Sequence, residues 1–128
     1  RLFSLRGPRR VERDLRRAVK TLESITGERP TLFRPPVGHT NPTIARVADR
    51  LGLTVVGWSV RGRDGLAGAN ADAVARRIAR GLRDGAIVLM HDAAERGGRR
   101  SAGVDALPRV LDAIAERNLP VVALAKWM

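Results

Sequence analysis

The segment GAIVLMHD, residues 85–92, decides the fold because it places a short apolar run directly before a histidine and an aspartate. A continuous apolar run such as 86–90 is typical of a strand that is covered on both faces. Asp84 and Gly85 end the helical pattern that precedes this run. The segment therefore predicts a buried strand that presents His91 at its carboxyl end.

Strands and helices alternate on both sides of this segment. Apolar residues at a spacing of three to four predict helices, and short apolar runs between turn residues predict strands. Asn41 and Pro42 form a typical helix start. The predicted helices cover 11–25, 42–51, 71–82 and 104–116, and the predicted strands cover 31–33, 53–58, 86–90 and 120–124. This order predicts an α/β fold with a parallel sheet, in one domain over 1–128.

Two of the predicted helices carry long apolar stripes that are expected to face the core. The stripe of the first is Val11, Leu15, Val19, Leu22 and Ile25, and that of the last is Leu107, Val110, Leu111 and Ile114.

Composition excludes some classes of protein. The 128 residues contain no cysteine, which rules out disulfides and thiolate metal sites, and no apolar run is long enough to span a membrane. The net charge of +11 raises nucleic acid as a partner, but the arginines are spread over helical surfaces and few aromatic residues could stack on bases. We therefore disfavour nucleic-acid binding. The first residues lack the apolar core of a signal peptide, and the sequence leaves the compartment open.

Polar residues follow the predicted strands, where ligands bind in parallel α/β folds. Arg34 follows the first strand, Asp64 lies on the loop after the second, and His91 follows the third. Each also has a structural interpretation: Arg34 as a surface charge, Asp64 as a turn residue and His91 as a cap on its strand. The proline pair after Arg34 stiffens that loop and would aim the guanidinium.

Together these segments resemble the polysaccharide deacetylases, the NodB-like domains of carbohydrate esterase family 4. The residues FRPPVG (33–38) resemble the family's arginine–proline–glycine motif, and GAIVLMHD (85–92) resembles its leucine–any–histidine motif. Asp64 falls where the family carries an aspartate between these motifs. The matched order implies the C-terminal portion of a distorted (β/α) barrel, and an enzyme that removes acetyl groups from sugars.

The resemblance also implies roles for individual residues. His91 would be the general acid, Asp64 would orient it, and Arg34 would hold the general base ionised. The substrate-binding set would be Pro35, Pro36, Val37, Gly38, Trp58 and Leu89, with the Val37 N–H near the oxyanion and with Trp58 and Leu89 beside the acetyl methyl group.

The family's divalent metal, commonly zinc, has no candidate ligand triad in this chain, whose histidines are His39 and His91. The family's metal ligands precede the matched motifs, so the chain alone is expected to bind no metal and to be inactive. Val37 and Gly65 replace a tyrosine and a tryptophan of the family pattern, which leaves the substrate open. The resemblance implies a carbohydrate partner, often outside the cytoplasm or in the cell envelope.

Three alternatives remain. The chain could be a non-catalytic relative that binds carbohydrate or a partner protein, or an amide hydrolase of the same fold that acts on a small substrate without a sugar. It could also bind an anionic polymer. A second copy of the chain is a further partner to consider, because an apolar sheet edge favours self-association.

Overall fold

The computed structural model describes residues 3–93 and 100–127. The chain divides into two compact units, one formed by Arg1–Gly57 with Leu124–Met128 and the other by Trp58–Ala123. Each unit contains two α-helices of nine residues or more and a ladder of two short parallel strands.

The first unit is built on helix α1, Pro8–Thr26, and helix α2, Pro42–Arg50. Helix α1 starts with a proline and ends at Gly27, whose φ of 77° is the left-handed conformation that glycine adopts easily. Asn41 caps α2 by accepting a hydrogen bond from the Ile44 N–H. These boundaries confirm the first two predicted helices to within three residues.

Strand β1, Leu32–Phe33, pairs in parallel with strand β2, Thr54–Val55, in the same unit. The core between the helices and this ladder contains Val11, Leu15, Val19, Ile44, Val47, Ala48, Leu51 and Leu53. Leu22 and Ile25 were predicted to join it but are 49% and 75% exposed. The buried stripe of α1 therefore ends at Val19.

The second unit contains strand β3, Val60–Arg61, helix α3, Ala71–Gly81, strand β4, Val88–Leu89, and helix α4, Ala102–Ala115. Strands β3 and β4 pair in parallel, and α3 packs on α4. The core of this unit consists of Val60, Val74, Ala75, Ile78, Ala106 and Val110. The predicted apolar stripe of α4 was half right. Val110 is buried, whereas Leu107 and Leu111 are 43% and 48% exposed. Ala106 lies in the core instead.

The predicted strand 53–58 is corrected by the structure. The Val56 N–H still donates to the Phe33 carbonyl of β1, but the Ser59 and Val60 N–H groups both donate to the Ile87 carbonyl. The chain thus changes its hydrogen-bonding partner after Val56, so the predicted strand shortens to β2, and β3 begins two residues beyond the predicted end, at Val60. The predicted strand 86–90 likewise shortens to β4.

The last predicted strand, 120–124, was wrong. No residue of this segment pairs with a strand within the described part of the chain, and a strand needs such a partner. Val121 and Val122 are 73% and 58% exposed, and Leu124–Trp127 forms the short helix α5.

Candidate active site

The centre of the candidate site is a buried carboxylate. Asp64 lies three residues after β3 and His91 two residues after β4, and the parallel register of these strands brings both to the same end of the ladder. Arg63, with a φ of 58°, turns the chain immediately before Asp64. Asp64 is 1% exposed. A carboxylate buried this deeply needs hydrogen-bond donors, and the structure supplies them.

Both the backbone and the ring of His91 contact the Asp64 carboxylate. The His91 backbone N–H donates to Asp64 Oδ2 at 2.6 Å, and His91 Nδ1 lies 3.1 Å from Asp64 Oδ1. An ionised carboxylate only accepts hydrogen bonds, so Nδ1 must carry a proton for the second contact to form. The imidazole is 41% exposed, so its other nitrogen, Nε2, is the one available to a bound substrate. The predicted partnership of Asp64 and His91 is thus present in the geometry.

Helix α4 contributes a contact that the sequence did not predict. Ser101 caps this helix and is 1% exposed. Its hydroxyl lies 3.0 Å from the Asp64 carbonyl oxygen and 3.3 Å from Asp64 Oδ2, and it accepts the Gly103 N–H at 3.0 Å. A serine before a helical pattern indicates an N-cap, but that signal does not say which distant residue the hydroxyl contacts.

The arginine motif lies in the first unit, where it forms a tight turn. Arg34 Nη2 donates to the Gly57 carbonyl at 3.0 Å and Nε to the Val56 carbonyl at 3.4 Å. These bonds tie the guanidinium to the end of β2. The aiming of Arg34 by the proline pair and its role toward a general base remain predictions.

The residues after Arg34 adopt a strained backbone. Pro35 is buried, and Pro36–Gly38 forms a single 3₁₀ turn. Within it Val37 has a φ of 51°, which a β-branched residue rarely adopts, and Gly38 has a φ of 71°. The turn leaves the Val37 side chain 68% exposed. The oxyanion role of its N–H remains a prediction.

Trp58 and Leu89, predicted to line an acetyl pocket, both belong to the second unit and are half-buried. Leu89 lies in β4, two residues before His91, and pairs with Arg61. Their role toward a substrate remains a prediction.

No group of three histidine, aspartate or glutamate side chains that could hold a metal occurs in residues 3–93 and 100–127. The described residues thus do not fit a metal centre. Of the helices in this same part of the chain, none is both long and apolar enough to cross a membrane.

The comparisons with known proteins agree with this geometry. The polysaccharide deacetylase family model matches residues 3–56. The bifunctional xylanase/xylan deacetylase of Cellvibrio japonicus is 43% identical over 79 residues, 62% of this chain and 12% of that protein. The peptidoglycan-N-acetylglucosamine deacetylase PgdA of Listeria monocytogenes is 42% identical over 77 residues, 58% of this chain and 16% of that protein. The chain is thus similar to part of a polysaccharide deacetylase domain.

Solved structures extend the likeness to nearly the whole chain. The family 4 carbohydrate esterase of Streptomyces lividans, in complex with acetate, has a TM-score of 0.80 at 30% identity, over 93% of this chain and 58% of that one. A family 4 acetyl xylan esterase of Clostridium thermocellum, in complex with a cobalt ion, has a TM-score of 0.84 at 24% identity, over 98% of this chain and 58% of that one. Over this length the chain has the fold of family 4 carbohydrate esterases, and this confirms the predicted α/β fold class.

Proposed function

We propose that this chain supplies the leaving-group half of a metal-dependent deacetylase that removes acetyl groups from the amino sugars of a polysaccharide or glycoconjugate. The observation that carries the proposal is the buried Asp64 carboxylate, which binds His91 through both its main chain and its ring. His91 would be the general acid and Asp64 its positioning residue.

The chemistry explains why such a pair is needed. Hydrolysis of an N-acetyl group breaks the bond between the carbonyl carbon and the sugar nitrogen, while water supplies the new oxygen on that carbon. The nitrogen is a poor leaving group and departs as an amine only if it gains a proton. With Nδ1 bonded to Asp64, a proton carried on Nε2 of His91 could be transferred to it. Positioned acids of this kind contribute about 10²–10⁴-fold in rate.

The other candidate residues take their proposed roles from the family resemblance. Arg34, fixed by the carbonyls at the end of β2, would hold the general base ionised. The Val37 N–H would donate to the oxyanion, and Trp58 and Leu89 would contact the acetyl methyl group. By the resemblance, the base and the metal ligands would come from residues that precede the matched motifs, and zinc is the metal that the resemblance favours.

The substrate class rests on the relatives. One is named for xylan and another for N-acetylglucosamine in peptidoglycan, so a carbohydrate is the common element. Among carbohydrates we favour N-acetylated amino sugars, because a general acid is needed most where an amine must leave.

The test measures acetate release by the full-length protein that contains these residues, with an N-acetylated chitooligosaccharide and with acetylated xylan. His91→Ala should lower kcat on the chitooligosaccharide about 10²–10⁴-fold and leave the fold intact by circular dichroism. His39→Ala is the matched control, because His39 is the other histidine and is exposed, and it should keep the wild-type rate.

Three outcomes would count against the proposal. Full activity of His91→Ala would remove that residue from the mechanism. Release from xylan alone would replace amino sugars by O-acetylated sugars as the substrate. No release from either substrate, by a full-length protein that binds these glycans, would favour the non-catalytic alternative.

The 128-residue chain on its own should release no acetate and should bind zinc no more tightly than a His91→Ala variant, because one imidazole is not a metal site. Turnover by this chain alone would contradict the proposed division of the site.

A further inference from the structure

The first turn of α4 meets the Asp64–His91 pair at two points. One is the Ser101 hydroxyl, and the other is the α-carbon of Gly103, the second residue of the helix. We propose that Ser101 and Gly103 are positioning residues, which hold the Asp64 carboxylate in the orientation that fixes the His91 ring. The inference rests on the proposed function, in which His91 gives a proton to the leaving nitrogen.

The hydroxyl of Ser101 has one hydrogen, and two oxygens of Asp64 compete for it. The carbonyl oxygen is nearer, at 3.0 Å, whereas Oδ2 is 3.3 Å away and already accepts the short bond from the His91 N–H. The hydroxyl therefore fixes the Asp64 main chain directly and its carboxylate more weakly. Its own lone pair accepts the Gly103 N–H, which locks the hydroxyl on the helix.

The contact at Gly103 is steric. A β-carbon at this position would lie 2.2 Å from Asp64 Oδ2 and 2.9 Å from the His91 carbonyl oxygen. Because glycine has no side chain, the helix approaches the carboxylate so closely that no larger residue fits at position 103. Any larger residue must displace Oδ2, the oxygen that binds the His91 N–H.

Two variants separate these effects from simple loss of stability. Ser101→Ala removes the hydroxyl but also a helix cap. Asn70→Ala is the matched control, because Asn70 caps α3 in the same unit and its side chain binds the Ala73 N–H and not Asp64. Gly103→Ala keeps the cap and replaces glycine by the best helix former, so a defect in it cannot come from a weaker helix.

The first readout needs no turnover and uses the 128-residue chain. The His91 amide proton, bonded to a buried carboxylate at 2.6 Å, should resonate far downfield and exchange slowly in NMR spectra. Ser101→Ala and Gly103→Ala should both move this resonance upfield and speed its exchange, and Asn70→Ala should not. An unchanged His91 amide in both variants would overturn the inference.

The second readout compares leaving groups in the full-length protein. With an N-acetylated sugar, Ser101→Ala and Gly103→Ala should lower kcat about tenfold, as for one lost hydrogen bond of about 1.4 kcal/mol, with KM unchanged. With 4-nitrophenyl acetate, whose leaving group needs no proton, both should match the wild type. Equal losses on both substrates would mean a merely structural role and would overturn the inference.

The same comparison separates this inference from the proposed function. If His91→Ala shows no preference for the activated ester, the general-acid proposal fails whatever the α4 variants do. If His91→Ala shows this preference for the activated ester and the α4 variants do not, only the positioning role of Ser101 and Gly103 fails.

Discussion

The two units of this chain are built alike but use their polar motif residues differently. In the first unit Arg34 donates to the main-chain carbonyls of Val56 and Gly57, which directly follow β2. In the second unit Asp64 and His91 contact each other through side chains, and Ser101 adds a third contact. The comparison teaches that the contacts among Asp64, His91 and Ser101 form a side-chain network within the second unit, so changes there should act on the proposed proton transfer before stability.

The largest expected effect tests whether each unit has its own core. Ile44 in the first unit and Ile78 in the second are both fully buried. Ile44→Ala and Ile78→Ala should each lower the free energy of unfolding by about 2–5 kcal/mol, because each leaves a cavity. Hydrogen exchange should show the loss of protection in α1 and α2 for the first variant and in α3 and α4 for the second.

Ile25→Ala is the control, since Ile25 is 75% exposed and its removal should change stability by less than about 0.5 kcal/mol. If either core variant lost protection across all four helices, the two units would not have independent cores.

Removal of the helix caps in the two units should change the free energy of unfolding by a smaller amount. Asn41 accepts the Ile44 N–H at 2.9 Å and also donates to the Ser4 carbonyl at 2.8 Å, whereas Asn70 accepts only the Ala73 N–H among the bonds described. Asn70→Ala should cost about 1 kcal/mol in urea unfolding, and Asn41→Ala about 1 kcal/mol more.

Asn41→Ser keeps an oxygen that can cap α2 but loses the donor to Ser4. It should therefore recover about half of the loss caused by Asn41→Ala. Equal effects of the two alanine variants would show that the bond to Ser4 adds nothing.

The smallest effect concerns pH and the surface of the first unit. The hydrogen bond from Arg16, together with the charge of Arg50, holds the pKa of Glu12 below its usual value of 4.5. A carboxyl whose pKa is lower in the folded state stabilises the fold above its unfolded pKa, and that contribution disappears as the pH falls through the folded pKa. Glu12→Gln should therefore lower the urea midpoint slightly at pH 7 and not at a pH below the folded pKa of Glu12.

Glu28→Gln is the matched control, because Glu28 is an exposed glutamate that forms no ion pair within the described residues. A difference between Glu12→Gln and the wild type that persists in acid would show that the contact does not depend on charge.

The helices could be predicted from the sequence because their signals are local. The caps at Asn41 and Gly27 and the spacing of Val11, Leu15 and Val19 lie within one element, and the four long helices are found within three residues of their predicted bounds. The strands could not be delimited, because a ladder of two residues depends on the partner that the chain meets. This is why the run 53–58 contains only β2 while a second strand begins beyond it at Val60, and why 120–124 is not a strand.

The candidate site shows the same division between local and distant information. His91 and Asp64 are predictable because each follows a strand, and parallel strands end at one edge. Ser101 and Gly103 were missed because their contacts with Asp64 cross 37 and 39 positions of sequence, and a helix-cap signal does not indicate which distant residue the cap contacts. The exposure of Leu107 and Leu111 was missed because apolar spacing gives a stripe but not its width.

The absence of space beside Gly103 also constrains how this protein can evolve. While the Asp64 carboxylate is present, a side chain at position 103 collides with it, so the two positions cannot drift independently. Loss of the carboxylate would remove the tighter of the two close contacts at position 103 and leave the one with the His91 carbonyl oxygen. A descendant of this sequence with a larger residue at 103 should therefore also have lost the acid at 64, and these two positions would together report the loss of the proposed proton-delivering site without any assay.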